Sequence, residues 1–275
     1  MDRPIVFASD YGAGTEWVGT CHAVIASLAP AARIIDLVHT LPRFDPAAAG
    51  LVLREAMPFT PVCIAVLVVD PGVGTERRAL ACATGRGDVL IGPDNGLLPL
   101  ASERIGAVTA ARLLDPVALG LAPASSTFHG RDLFSPIAAR LVLGQPFEDL
   151  APSVDVGSLV QARTPLLDVA RERIESEVID VDTFGNVRLS ARTDALAASG
   201  LDASSMLHAS TPSGELLVRR ASTFRDIEAG QVGVIVDSFG WLSLCIPSGS
   251  AAAKLGLTRG SRVVMTQSTS EDKMM

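Results

Sequence analysis

The sequence predicts an α/β N-terminal domain with a largely parallel central sheet, followed by a smaller antiparallel β-barrel-like domain. Three observations carry this. Short apolar runs alternate with helix-like segments through roughly the first 150 residues, the pattern of strands linked by crossover helices. One of those runs, "PVCIAVLVV" at 61–69, is apolar throughout, as a strand covered on both faces must be. Beyond about residue 170 the strand-like runs crowd together, punctuated by Gly, Ser and Asp, which is how small barrels and sandwiches read.

Taken in order, "PIVFAS" (4–9) is a first strand, and "TEWVGTCHAVIASLAP" (15–30) has helical apolar spacing that stops at Pro30. "RIIDLV" (33–38) is a second strand. "DPAAAGLVLREAM" (45–57) is a helix opened by Asp45 as cap and Pro46 in its first turn. After the buried run come the strands "RALACAT" and "DVLIGP" and the helix "NGLLPLASERIG". "EDLAPSVDVGSLVQARTP" shows no period, so residues 151–170 read as a linker between a domain at 1–150 and another at 171–268. The second domain's strands are "RIESEVIDVD", "GNVRLS", "SMLHAS", "GELLVRR", "QVGVIVDS", "WLSLCIP" and "SRVVMT". The polar end, 269–275, reads as a frayed tail.

The 275 residues are 48% hydrophobic and 19% charged, the balance of a soluble globular protein. A formal net charge of −7 argues against a nucleic-acid or membrane-surface partner. Cys21, Cys63, Cys82 and Cys245 have no CxxC spacing and are expected as core thiols in a reducing compartment, without a disulfide framework or a metal. "MDRPIVFASD" carries acids too early for a secretory signal, and no uncharged apolar run reaches the ~18–20 residues that span a bilayer. A cytoplasmic protein is expected.

Ligands of parallel sheets sit at the carboxyl ends of strands, and Asp10 and Asp70 fall at such ends. In "VLVVDPGVGTERRAL" (66–80) the buried run delivers Asp70 to a glycine loop that returns Arg77 and Arg78. Alone, this stretch reads as a turn with an exposed ion pair worth ~0–1 kcal/mol. A phosphate cradle lacks its GxxxxGK[ST] or GxGxxG signature and a following helix. A metal phosphoesterase could draw on Asp10, Asp70, Asp94, Asn95 and His129, but DxH, GNH[DE] and paired-His spacings are missing. His129 stands in the loop "STFHGRDLFSP" (126–136), while "DTFGNV" and "DSFGWLSL" are turns combining aromatics, amides and hydroxyls.

Taken together, "SDYGAG", "HTLPRFDPAAAG", "VVDPGVGTERRAL", "IGPDNGLL", "TFHGRDLFSPIAA", "DTFGNV", "STFRDIEAG" and "DSFGWLSL" resemble, in order and over nearly the whole chain, the S-adenosyl-L-methionine (SAM) hydroxide adenosyltransferases. That family is related to the fluorinases and chlorinases. The resemblance implies a catalytic Asp70, Arg77 and His129, which the halogenating relatives lack, and thus water as nucleophile. It implies substrate contacts from Asp10 to the ribose hydroxyls, from Phe44 as a pocket aromatic, and from Phe184, Asn186 and Phe224 to adenine. Asp182 and Ser238 would lie near the methionine end. Where the family often has Asp, this chain has Thr15 followed by Glu16, leaving Glu16 or Asp182 to hold the methionine ammonium. The implied reaction is hydrolysis of SAM to adenosine and L-methionine, with SAM as substrate and no cofactor. The implied assembly is a homotrimer with sites at subunit interfaces. A halide-using adenosyl transferase and a non-catalytic nucleoside- or SAM-binding protein are the alternatives.

Overall fold

The structure, a computed structural model, describes residues 3–122 and 124–268; the stretch read as a frayed tail, 269–275, lies outside them. The chain divides into two compact units at Arg163 and Thr164. Among the described residues, no helix is long and apolar enough to cross a membrane.

The first unit contains β1 (Ile5–Ser9), α1 (Glu16–Leu28), β2 (Ile34–Val38), α2 (Pro46–Ala56), β3 (Ile64–Val68), β4 (Ala79–Thr84), β5 (Val89–Pro93), α3 (Leu97–Ser102), β6 (Val108–Leu113), α4 (Ser135–Val142) and β7 (Ser153–Val154). Its sheet runs β2-β1-β3-β5-β4-β6-β7. The first four strands are parallel and the remaining pairings antiparallel. The direction changes at β4–β5 because residues 85–88 join these strands directly, too short a link for the crossover that parallel pairing requires. Side chains of β1 and β3 alternate between two cores. Phe7 and Val66 pack with Cys21 of α1 and Ile137 of α4. Val6 and Leu67 pack with Leu53 of α2 and Leu97 of α3. This two-sided burial explains the unbroken apolar run. Asp45 caps α2 as its composition suggests, accepting from the Ala48 backbone N at 3.0 Å, with Pro46 in the first turn.

Residues 151–163 behave differently from a linker. β7 pairs with β6 at the sheet edge, and Leu159 is buried. Arg78 holds this segment: its Nε donates to Asp94 Oδ2 at 2.7 Å and its Nη2 to the Ser158 carbonyl at 2.6 Å, while Asp94 Oδ1 accepts from Val160 N at 3.0 Å. A two-residue strand and a polar clamp leave no periodicity to read. β8 likewise begins inside the expected linker.

The second unit comprises β8 (Leu167–Ala170), β9 (Arg173–Val181), β10 (Val187–Arg192), α5 (Thr193–Ser199), β11 (Met206–Thr211), β12 (Gly214–Arg220), β13 (Gly233–Val236), β14 (Trp241–Cys245), α6 (Ala251–Leu255) and β15 (Arg262–Gln267). Pairing of β10 with β9 closes seven strands into a barrel, and β8 is an added strand on β9. Val178, Leu189, Leu207, Val234, Leu244 and Met265 fill its core. One pairing departs from the antiparallel expectation: β12 and β13 are parallel, which the long connection 221–232 permits.

Two hairpins of this barrel share one turn. In "DTFGN" and "DSFGW", Asp182 and Asp237 each accept through Oδ1 from backbone N–H groups two and four residues on, at 2.9–3.0 Å. Gly185 and Gly240 take φ of 81° and 86°, the left-handed step that closes such a turn.

Candidate active site

β3 is a rigid mount. Its side chains are buried, as is Val69 after it, so Asp70 is fixed where the sheet ends. Asn95 secures that end by donating from Nδ2 to the Val69 carbonyl at 2.9 Å. The loop then reverses, with Gly74 at φ 79° and the Thr75 hydroxyl donating to Gly72 O at 2.7 Å. Arg77 comes back onto Asp70 through two N–H groups: Nε donates to Oδ1 at 2.9 Å and Nη2 to Oδ2. Both side chains are nearly enclosed, 10% and 6% exposed. The pair is thus no surface ornament, and its parallel fork is the strong form of the contact.

The same Nη2 lies 2.8 Å from His129 Nδ1. His129 precedes a π-helical turn, Gly130–Phe134, that runs into α4; such turns recur at functional sites. The fully buried Phe134 ring lies beneath both partners, its centroid 5.7 Å from the Arg77 guanidinium carbon and 6.2 Å from the His129 ring, the latter edge-on. Asp70, Arg77 and His129, far apart in sequence, therefore form one connected set.

Proton positions follow from these contacts. A guanidinium can only donate, so His129 Nδ1 accepts and the imidazole proton resides on Nε2. Burial, then the adjacent Arg77 charge, hold the His129 pKa below the ordinary imidazole value. Among the described residues Nε2 has no hydrogen-bond partner, and Asp70 retains free lone pairs beyond those facing Arg77. The set presents one N–H and one carboxylate to whatever occupies the site.

That site is a recess of ≈ 560 Å³ lined by Asp70, His129, Asp10 and Phe44 together with Tyr11, Trp17, Arg43 and Phe128, a volume suited to a metabolite-sized ligand. Asp10 accepts from the Phe44 backbone N at 3.2 Å. Burial raises its pKa, opposed chiefly by that hydrogen bond. Phe44 has φ 58° and is largely exposed, a left-handed conformation that costs a non-glycine residue about 1 kcal/mol or more. Ser9 anchors the same loop, its hydroxyl 2.7 Å from His39 Nδ1. Thr15 also lines the recess, its hydroxyl donating to the carbonyls of Tyr11 and Gly12; Glu16 is the first residue of α1 and does not line it.

The five second-unit candidates, Asp182, Phe184, Asn186, Phe224 and Ser238, line a separate recess of the barrel. Asn186 Nδ2 donates to Asp182 Oδ2 at 2.8 Å, and the rings of Phe184 and Phe224 are exposed. Sequence reasoning missed Tyr11, Trp17, Arg43 and Phe128 in the first recess. The aromatic density of "DYGAGTEW" and "TFHG" was the available signal. Among the described residues, no group of three or more His, Cys, Asp or Glu side chains is arranged to hold a metal ion.

The SAM hydroxide adenosyltransferase N-terminal domain matches residues 5–151 and the C-terminal domain of the same name matches 176–264. An (R)-S-adenosyl-L-methionine hydrolase of Salinispora arenicola is 44% identical over 263 residues, covering 95% of this chain and 97% of that protein. One of Thermus thermophilus is 42% identical, covering 94% and 97%. A fluorinase of Actinopolyspora mzabensis is 27% identical, covering 97% and 98%. The crystal structure of an uncharacterized conserved protein from Thermotoga maritima superposes with a TM-score of 0.86 at 32% identity, covering 96% of this chain and all of that one.

Proposed function

Since the chain belongs to the SAM hydroxide adenosyltransferase family, we propose that it hydrolyses SAM to adenosine and L-methionine by in-line attack of water at C5′, with Asp70, Arg77 and His129 as the catalytic set. The relatives' name specifies the (R) form. We extend that preference to this chain, the sulfonium being a stereocentre with three different substituents. The observation that carries the reading is the connected Asp70–Arg77–His129 set at the wall of the recess.

The sulfonium leaves as a neutral thioether, so the carbon–sulfur electron pair returns to sulfur without a general acid. No cofactor is needed. The difficulty is aiming and activating a weak nucleophile. His129 Nε2–H donates to the water oxygen, and Asp70 accepts one of its hydrogens. Arg77 locks both in place. Of the three groups only Asp70 has an open lone pair, so the water's proton goes there as the C5′–O bond forms, and then to solvent. A carboxylate suffices for this because water becomes strongly acidic as its oxygen bonds to carbon. Asp10 would hold the ribose diol through its two oxygens. The second recess would read adenine by stacking on Phe184 and Phe224 and by the Asn186 carboxamide, with Asp182 and Ser238 toward methionine.

We propose further that the protein is a cytoplasmic homotrimer with sites at subunit interfaces. Four unpaired, buried cysteines support a reducing compartment. The net charge of −7 disfavours nucleic acid and membrane surfaces.

Product identification after incubation with (R)-SAM in chloride buffer is the test: adenosine and methionine are expected, whereas 5′-chloro-5′-deoxyadenosine would mark halide use. A pH profile probes the same set. His129 must be neutral for Nδ1 to accept from Arg77, and its pKa lies below the ordinary ~6.5. Activity should therefore be flat through neutrality and fall with acidification below that value. The same fall should persist in Asp10→Asn. An acid limb centred above pH 7 contradicts this proton arrangement.

A further inference from the structure

Among the described residues, Tyr11 is the one recess residue with a hydroxyl that no protein group engages. Its ring is fixed edge-to-face against Phe7, Trp17 and Phe128, with centroids 6.2, 5.9 and 5.6 Å away. Among the described residues its Oη has neither a hydrogen-bond donor nor an acceptor, although Tyr11 lines the recess beside Asp70 and His129. Tyr11 is only part-buried, so its hydroxyl is left to bind whatever enters the recess. The hydroxyl also determines what its neighbour can be. A methyl group on Gly130 would overlap Tyr11 Oη and come within 3.1 Å of ring Cζ. The glycine after His129 therefore leaves room for that oxygen.

At the reacting centre the substrate offers nothing to hydrogen-bond, because a sulfonium and a methylene neither donate nor accept. Beside those two groups a polar side chain has only the water to bind. Resting on the hydrolase reading above, we propose that Tyr11 Oη accepts the second hydrogen of the nucleophilic water. The water's valences then close. One hydrogen goes to Asp70 and the other to Tyr11, one lone pair accepts from His129 Nε2–H, and the remaining lone pair points at C5′. Burial, with Cys21 and the carboxylates of Asp10 and Asp70, keeps the phenol pKa well above its usual value. The group thus stays a neutral hydroxyl and does not compete as a nucleophile.

The experiment measures kcat and KM for (R)-SAM with wild type and Tyr11→Phe side by side, with melting temperatures. The substitution removes one oxygen and keeps the ring contacts. The expected result is an unchanged melting temperature and KM with kcat down about tenfold, the size of one hydrogen bond. Unchanged kcat, or a loss confined to KM, overturns the assignment. Gly130→Ala checks the hydroxyl's location: in the Tyr11→Phe background its destabilisation should shrink, and equal destabilisation in both backgrounds contradicts the placement. A wild-type enzyme that forms no adenosine defeats the hydrolase reading itself, whereas an active wild type matched by Tyr11→Phe defeats this inference alone.

Discussion

Arg77→Lys is expected to lower kcat by roughly 10²–10³-fold, the cost of removing a preorganised group from a transition state. Arg77 donates through two nitrogens to Asp70 and through one of them to His129 Nδ1. Lysine keeps the charge but not the planar fork, so it cannot hold a carboxylate in two-point contact and an imidazole together. Asp70 would be free to rotate, and His129 would lose the partner that fixes its tautomer. Arg77→Ala goes further, leaving a carboxylate only 6% exposed without a countercharge. Breaking such a pair costs about 3–5 kcal/mol of stability, so melting temperature falls along with activity. Asp70→Asn should match Arg77→Lys in rate and also melt below wild type, because it leaves the Arg77 guanidinium, 10% exposed, without its countercharge. Steady-state adenosine release measured beside thermal melts separates these outcomes. An Arg77→Lys enzyme with more than half of wild-type kcat would remove Arg77 from the catalytic set.

Gly92→Ala is expected to be the most damaging methyl addition near the site. Gly92 lies in β5, where an added Cβ would run into the Leu67 carbonyl oxygen of neighbouring β3 and approach Leu98 Cδ2 to 3.1 Å. A backbone oxygen cannot move aside as a side-chain tip can, so β5 must shift away from β3 just below Asp70. Overpacking of this kind costs about 1–3 kcal/mol and more against backbone, with kcat falling because the strand that mounts Asp70 is displaced. Chemical denaturation and adenosine release should both register the change. Wild-type stability would show that β3 and β5 do not pack at this distance.

How much of this was legible beforehand varied with how local the cause was. The run 61–69 announced a strand buried on both faces because both cores need apolar partners along its whole length. The seven barrel strands were readable from their turns. A family likeness spread over many segments points to Asp70, Arg77 and His129 together; no short-range rule links residues 77 and 129. The clamp of Arg78 and Asp94 on residues 158–160 was hidden, since a segment held by two polar side chains has no period. The parallel β12–β13 pairing was hidden too, because strand direction is set by a connection whose route no local pattern reveals. Tyr11 escaped notice for a different reason. Between Asp10 and the glycines it reads as an ordinary core aromatic, and the position of its hydroxyl against Gly130 shows only in the fold.

The most direct measurement is hydrolysis of (R)-SAM in ¹⁸O-labelled water, followed by mass spectrometry of both products. Attack at C5′ by a water held, as proposed, by Asp70 and His129 requires one ¹⁸O per adenosine, on the 5′ oxygen, and none in methionine. Adenosine without label, or label appearing in the methionine fragment, would contradict that reaction at this site.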